Sequence, residues 1–220
     1  VLGDNGATLL DRVSASTRAA PPGEIQSAGP IALFRADAFE QVGGFRTDID
    51  ADATADICIR LRRRGAHVWR SDAVMAVIEP RRLTLKAWRQ EAARRGFAYA
   101  AGAALHGAPP ERLNAREQAR AFFWGGFVPS LALLAAIVMA LASGALGADA
   151  LIGVVAVVTG FVTVYALKVA VTAIRADAPG VPAWPYGFFT TLGHFSEFSG
   201  VLKYWFGGPA SSGSKGRAPR

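Results

Sequence analysis

The stretch Ala121–Ala148, "AFFWGGFVPSLALLAAIVMALASGALGA", holds no charged residue. About 20 residues of helix cross the roughly 30 Å hydrocarbon core of a bilayer, so this run is long enough to span one. A second apolar run, "ALIGVVAVVTGFVTVYAL" (Ala150–Leu167), follows a short link of small residues and one aspartate, and extends past Lys168 to Ile174. Lys168 lies near one end of that run, where its long apolar stem lets the ammonium reach the interface. The two runs read as transmembrane helices at about 121–143 and 150–174, in preference to two buried helices of a soluble bundle.

The flanking charges suggest an orientation. Arg112, Arg116 and Arg120 precede the first run, Lys168 and Arg175 close the second, and the link between them carries no basic residue. By the positive-inside tendency both the N-terminal and the C-terminal regions are expected in the cytoplasm, as in a multi-pass protein of a bacterial-type inner membrane. The first 28 residues are polar and mixed and do not read as a signal peptide. The single cysteine, Cys58, suits the reducing side.

Of the 220 residues 51% are apolar, yet the net charge is +7. Most of the excess lies between Arg60 and Arg95, where eleven Arg and Lys face three acids. Beside a membrane, such a patch suits anionic lipid head groups or a phosphorylated substrate. No RNA-binding motif, zinc finger or helix-turn-helix pattern accompanies it, so nucleic acid is not an expected partner.

Ahead of the apolar runs the pattern alternates. "PIALFR" (Pro30–Arg35) reads as a buried strand, and "ADAFEQVGGF" (Ala36–Phe45) as a short helix with Asp37 in its first turn and Gly43 or Gly44 at its left-handed stop. Asp52 or Thr54 is placed to cap the next helix, in which Ile57, Cys58 and Leu61 form an apolar stripe amid Arg60, Arg62, Arg63 and Arg64. "AHVWR" and "AVMAVIE" read as two short strands. Thr84 then caps a long helix whose Leu85, Trp88, Ala92 and Phe97/Tyr99 region would pack on the sheet or the membrane surface. The expected fold class is therefore α/β, followed by a helical transmembrane hairpin and an amphipathic interfacial helix. The expected organisation is a polar N-terminal segment (1–28), a cytoplasmic α/β region (29–118), two transmembrane helices (119–175), an interfacial segment (176–207) and a disordered Pro/Gly-rich tail (208–220).

"GPIALFRADAFEQVGGF" (Gly29–Phe45), the acids before "ICIRLRRRG" (Ile57–Gly65), "VWRSDAVM" (Val68–Met75), the long basic and aromatic helix and the apolar runs together resemble the C-terminal half of membrane-associated family 2 glycosyltransferases. The resemblance covers roughly Ala28–Gly208. It implies a partial GT-A-type acceptor-side unit and inverting transfer of a sugar from a nucleotide sugar to a glycan, lipid-linked or cell-envelope acceptor. The nucleotide-sugar-binding half that comes first in that family has no counterpart in the 28 residues ahead of the match.

The resemblance also assigns candidate roles. The family's acidic pair falls on Ala53 and Thr54, so Asp52 or Asp50 becomes the candidate catalytic base, with Asp56, which matches the acid ending the motif, in support. A base is needed because the acceptor hydroxyl must lose its proton as it attacks. The DxD-like patterns Asp48-Ile49-Asp50 and Asp50-Ala51-Asp52 follow the double glycine and read as a helix-capping loop. Glu79 stands near the position of a metal-holding histidine and is the candidate ligand for a divalent metal, Mg or Mn. Arg63, Arg64, Arg94 and Arg95 are the candidate phosphate-facing groups. The three histidines, His67, His106 and His194, are dispersed in sequence and read as surface or interface residues. The alternative is a non-catalytic membrane protein that binds a partner transferase chain.

Overall fold

A computed structural model describes residues 6–16, 21–29, 31–46, 53–73, 75–76, 79–146, 150–176 and 180–208. The chain runs α1 (Leu9–Ser16), β1 (Gly23–Glu24), α2 (Ala36–Gln41), α3 (Ala53–Arg62), β2 (Trp69–Arg70), α4 (Leu85–His106), α5 (Ala115–Phe122), a π-helical turn (Phe123–Phe127), α6 (Val128–Leu146), α7 (Ala150–Ile174) and α8 (Ala183–Gly207). Helix makes up 69% and strand 2% of it. The expected α/β unit is thus not what forms. The only sheet among the described residues is β1 paired antiparallel with β2, Gly23 opposite Arg70 and Glu24 opposite Trp69.

The strand expectations fail for identifiable reasons. Residues 31–35 have a strand-like composition but join no ladder, and Leu33 is 86% exposed, so apolar content there does not mark a buried strand. Phe34 instead turns inward and packs with Phe39 and Phe45 at 5.9 and 6.1 Å between ring centroids. "AHVWR" contributes only Trp69 and Arg70, whose partner comes from the polar N-terminal segment. In "AVMAVIE", Ala73, Met75, Ala76 and Glu79 are outside any strand, and Val74, Val77 and Ile78 lie outside the described residues.

The expected helices of this region form, but of the two candidate caps of α3, Thr54 lies inside the helix and Asp52 lies outside the described residues. α2 ends at Gly43 and Gly44, whose φ angles of 77° and 67° are costly for a residue with a Cβ. Ile57, Cys58 and Leu61 of α3 are buried against Phe34, Phe39, Val42 and Val68, and the Ala28 N–H donates to the Cys58 sulfur at 3.4 Å. Thr84 caps α4, its hydroxyl accepting from the Ala87 N–H at 3.2 Å. The apolar side of α4 does not meet a sheet, however. Trp88 and Phe97 pack edge-on against Phe189 and Tyr204 of α8, while Leu85 stays exposed.

α8 is the centre of the helical part, touching α4, α5, the π-helical turn and α7. Its contact with α4 is backbone to backbone. A Cβ added at Gly96 would overlap the Glu197 carbonyl, and one at Gly200 would overlap the Ala93 carbonyl. Only glycine permits that approach, which is the device by which helices pack closely when small residues face each other. An amphipathic helix is expected within residues 176–207, and α8 forms there with polar side chains turned toward the other helices. Thr191, His194, Ser196 and Glu197 are buried, whereas Trp184, Phe188, Trp205 and Phe206 are exposed.

Helices Ala115–Ala142 and Ile152–Ile174 are long and apolar enough to cross a membrane. Of their most apolar windows only 11% and 0% is buried, so these are not core helices of a soluble bundle, and they are consistent with a membrane protein. α8 meets α7 at Tyr165, Val169 and Ala173, and meets α5 and the π-helical turn at Ala121, Phe122, Gly125 and Gly126. These contacts place α8 across the Arg120 and Ile174 ends of the two apolar helices.

Candidate functional site

α3 presents Asp56 in its first turn, and the side chain points inward, 2% exposed. Such a carboxylate needs compensating donors. Arg60, one helical turn on, donates to Asp56 Oδ2 from Nε at 2.8 Å and stands 2.7 Å away through Nη2. The same guanidinium donates to the carbonyls of Val42 and Gly44, at 2.5 and 2.7 Å. His106, the last residue of α4, donates from Nε2 to Asp56 Oδ1 at 2.9 Å. Asp56 therefore ties three elements together: the double-glycine turn after α2, the start of α3 and the end of α4.

The other sequence candidates scatter. Asp50 and Asp52 lie outside the described residues. Arg63 pairs with Glu111 at 2.8 Å, and that hydrogen bond, with the guanidinium charge, holds the Glu111 carboxyl below its ordinary range. Arg64 donates to the Gln41 carbonyl. Arg94 is exposed, whereas Arg95 turns into the α4–α8 contact. Glu79 is exposed, and among the described residues no three His, Cys, Asp or Glu side chains come together as a metal-holding group. Glu79 alone does not fit a divalent ion, which takes six or more oxygens, so no chemical step is derived through a metal.

A cleft of about 410 Å³ opens beside this unit, lined by Glu24, Ile59, Arg62, Arg63, His67 and Glu111 among others. Its charges are largely spoken for. His67 meets Glu24 at 2.8 Å, Arg63 meets Glu111, and Arg62 donates to the Gln26 carbonyl at 3.3 Å. It could take a small polar molecule only by breaking one of these pairs.

A second polar cluster has no counterpart among the sequence expectations. On α8, His194 donates from Nδ1 to Glu197 Oε2 at 3.0 Å, and both side chains are buried. Arg95 of α4 faces them, with Nη2 3.7 Å from Glu197 Oε1 and Nη1 3.9 Å from Glu91. Nη1 is buried and makes no hydrogen bond, and neither do the buried hydroxyls of Thr190 and Thr191 one turn before His194. Burial opposes the Glu197 charge, but the His194 hydrogen bond and the nearby Arg95 and Arg120 charges outweigh it and hold the carboxyl below its ordinary range. Burial pushes the His194 imidazole down despite its acidic partner. The pair therefore rests as neutral histidine beside ionised glutamate. Burial, and then the Glu197 charge, also raise Tyr99.

Two of the three histidines are thus internal and carboxylate-paired rather than surface groups. His194 and Glu197 stand three residues apart, a spacing that brings side chains together on a helix and is legible in the sequence. His106 and Asp56, fifty residues apart, carry no such signal. At the π-helical turn next to this cluster, the Tyr165 hydroxyl donates to the Trp124 carbonyl, Tyr165 stacks on Phe195 at 5.5 Å, and Lys168 Nζ sits 4.3 Å from the Trp124 ring centroid.

In comparisons with known proteins, no family model matches the chain, and no curated protein or solved structure matches it.

Proposed function

We propose that the chain works in a membrane as a family 2 glycosyltransferase-like protein, serving transfer of a sugar from a nucleotide sugar to a lipid-linked or cell-envelope acceptor. The observation that supports this reading is the Asp56–His106 bond. It fixes the start of α3, immediately after the acids Asp50 and Asp52 in sequence, to the end of α4, the helix that packs along α8 at the feet of the two apolar helices. A start of α3 held in that relation to a membrane surface suits an acceptor that is itself lipid-borne. In this reading Asp50 or Asp52 takes the proton from the acceptor hydroxyl, Asp56 positions that segment, and exposed Arg94 faces phosphate. The terminal regions lie in the cytoplasm on an inner membrane of bacterial type, with α6 and α7 as the two spans.

The test is transfer of labelled sugar from a panel of nucleotide sugars into lipid-extractable material, using membranes that carry the chain. Activity lost in the Asp50→Asn/Asp52→Asn double variant supports the base assignment, and full activity in that variant removes it.

One observation favours a second reading. The described residues contain only two strands of two residues each, and so offer no parallel sheet at whose crevice a nucleotide would sit. A non-catalytic membrane protein that binds a partner transferase chain accounts for that. It predicts no binding of any nucleoside diphosphate by the isolated chain, together with stoichiometric co-purification with a soluble transferase.

A further inference from the structure

α8 has two unlike sides, and its neighbours divide between them. Gly193, Glu197, Gly200 and Tyr204 share one side at the 3.6-residue period, and they meet Trp88, Gly96, Ala93 and Phe97 of α4. Trp184, Phe188, Leu202 and Phe206 fall within a sector of about 40° on the opposite side. Trp184, Phe188 and Phe206 are exposed, and Leu202 is half-buried. Phe195, midway along that same side, stacks on Tyr165 of α7 at 5.5 Å between centroids, and Phe198 beside it packs edge-on against Phe122 at 5.8 Å. The apolar helices therefore attach to the ring-bearing side of α8, and α4 to the other.

That attachment indicates what covers the open parts of the ring-bearing side. Its rings continue through the Phe122–Trp205 contact, 5.7 Å between centroids, to exposed Phe123 and Phe127 at the start of a run apolar enough to cross a bilayer. Charge agrees with this. The one acid of α8, Glu197, is turned inward, so Lys203 is the one charged residue on the exposed surface of the helix. A helix side rich in rings, free of acids and continuous with two such apolar helices suits the boundary between head groups and acyl chains. The amphipathic pattern of the sequence leaves open which side meets lipid.

We propose that α8 lies in the head-group layer of the membrane, with Trp184, Phe188, Leu202 and Phe206 toward the acyl chains and its back seating α4. The membrane surface and α4 then stand one helix apart, because Gly96 and Gly200 let the two backbones touch. This placement uses none of the residues assigned to sugar transfer, and it holds equally for a non-catalytic membrane protein.

The test is spin-label depth measurement on the full chain in vesicles of phosphatidylcholine and phosphatidylglycerol. Single nitroxides are attached in Trp184→Cys, Phe188→Cys, Ser199→Cys or Phe206→Cys, each in a Cys58→Ser background, and collisions with oxygen are compared with those of a water-soluble nickel complex. The expected result is preference for oxygen at positions 184, 188 and 206, at a common depth of about 5–10 Å. A label in Leu33→Cys, equally apolar and exposed but in the polar part of the chain, should prefer the nickel complex. Preference for the nickel complex at positions 184, 188 and 206 would place this side in water and overturn the proposal. Position 199, near the middle of α8, should be no deeper than the ends, whereas a label there roughly 15 Å deep would make α8 a third span and overturn it. Dipolar broadening with loss of both collisions would show a second copy of the chain on this side and would also overturn it. As a measurement free of labels, lipids brominated near the glycerol end should quench tryptophan emission, and Trp184→Phe/Trp205→Phe should lose part of that quenching; no loss counts against the proposal. Circular dichroism of each variant separates a change of depth from loss of helix.

Discussion

Asp56 and Glu197 are both buried carboxylates that meet a histidine and an arginine, yet they are satisfied to different degrees. Asp56 accepts from Arg60 and His106 at hydrogen-bond distance, and Arg60 spends its remaining donors on two backbone carbonyls. Glu197 has one good bond, to His194, while its arginine stands 3.7 Å away with a buried nitrogen lacking a partner. The first arrangement is closed and holds three elements in place. The second sits between backbones that only glycine lets approach, and it keeps unsatisfied polar atoms inside. A fully satisfied network specifies a fold, whereas a partly satisfied one is where charge, pH or a ligand can act.

The largest effect is expected where the second site meets backbone. Gly200→Leu drives a side chain into the Ala93 carbonyl and is expected to cost more than about 3 kcal/mol, separating α4 from α8. Size-exclusion behaviour and the thermal midpoint in detergent check it, and a variant as stable as the parent would show that the close approach is not needed. Asp56→Ala leaves Arg60 and His106 facing each other without their acid and is expected to cost about 3 kcal/mol, a value reduced because Arg60 is partly exposed. A loss at Asp56 no greater than that from Glu197→Gln would erase the contrast between the two sites.

Acidification sharpens the comparison further. The folded His194 binds its proton less readily than its ordinary value of 6.5, so as pH falls below 6.5 the unfolded chain protonates first and stability drops. Glu197, held below its ordinary 4.5, adds a loss of the same sign once pH falls below 4.5. Thermal midpoints measured from pH 7.5 to 4 should decline in both stages, and His194→Gln should remove the upper one. The smallest effect is expected at Thr191, whose buried hydroxyl has no partner. Thr191→Val removes that unsatisfied group at nearly constant volume and should raise stability by up to about 1 kcal/mol. A fall in the thermal midpoint would mean that the hydroxyl is engaged after all.

Several features of the fold are written locally in the chain. The Thr84 cap, the Gly43–Gly44 stop and the Ile57, Cys58, Leu61 stripe are local patterns, and local patterns act over one or two turns of chain. The apolar runs are legible for the same reason. The strands are not, because an apolar run of five residues says nothing about a partner. Leu33 lies outside, and β2 finds its neighbour in Gly23–Glu24, a segment with no strand signal. The polar side of α8 is legible as polar but not as buried, since its burial depends on glycines in α4 and in the π-helical turn.

By itself, then, the sequence determined α2, α3 and α4, the Thr84 cap and the two segments apolar enough to cross a bilayer, because hydrophobic length and turn chemistry are written within each segment. Only the tertiary structure decided which faces meet. It brought His106 to Asp56 across fifty residues, turned Arg95 away from solvent toward Glu197, and set Lys168 over the Trp124 ring, because pairings between distant segments arise from the packing of whole helices and leave no periodic trace in either one.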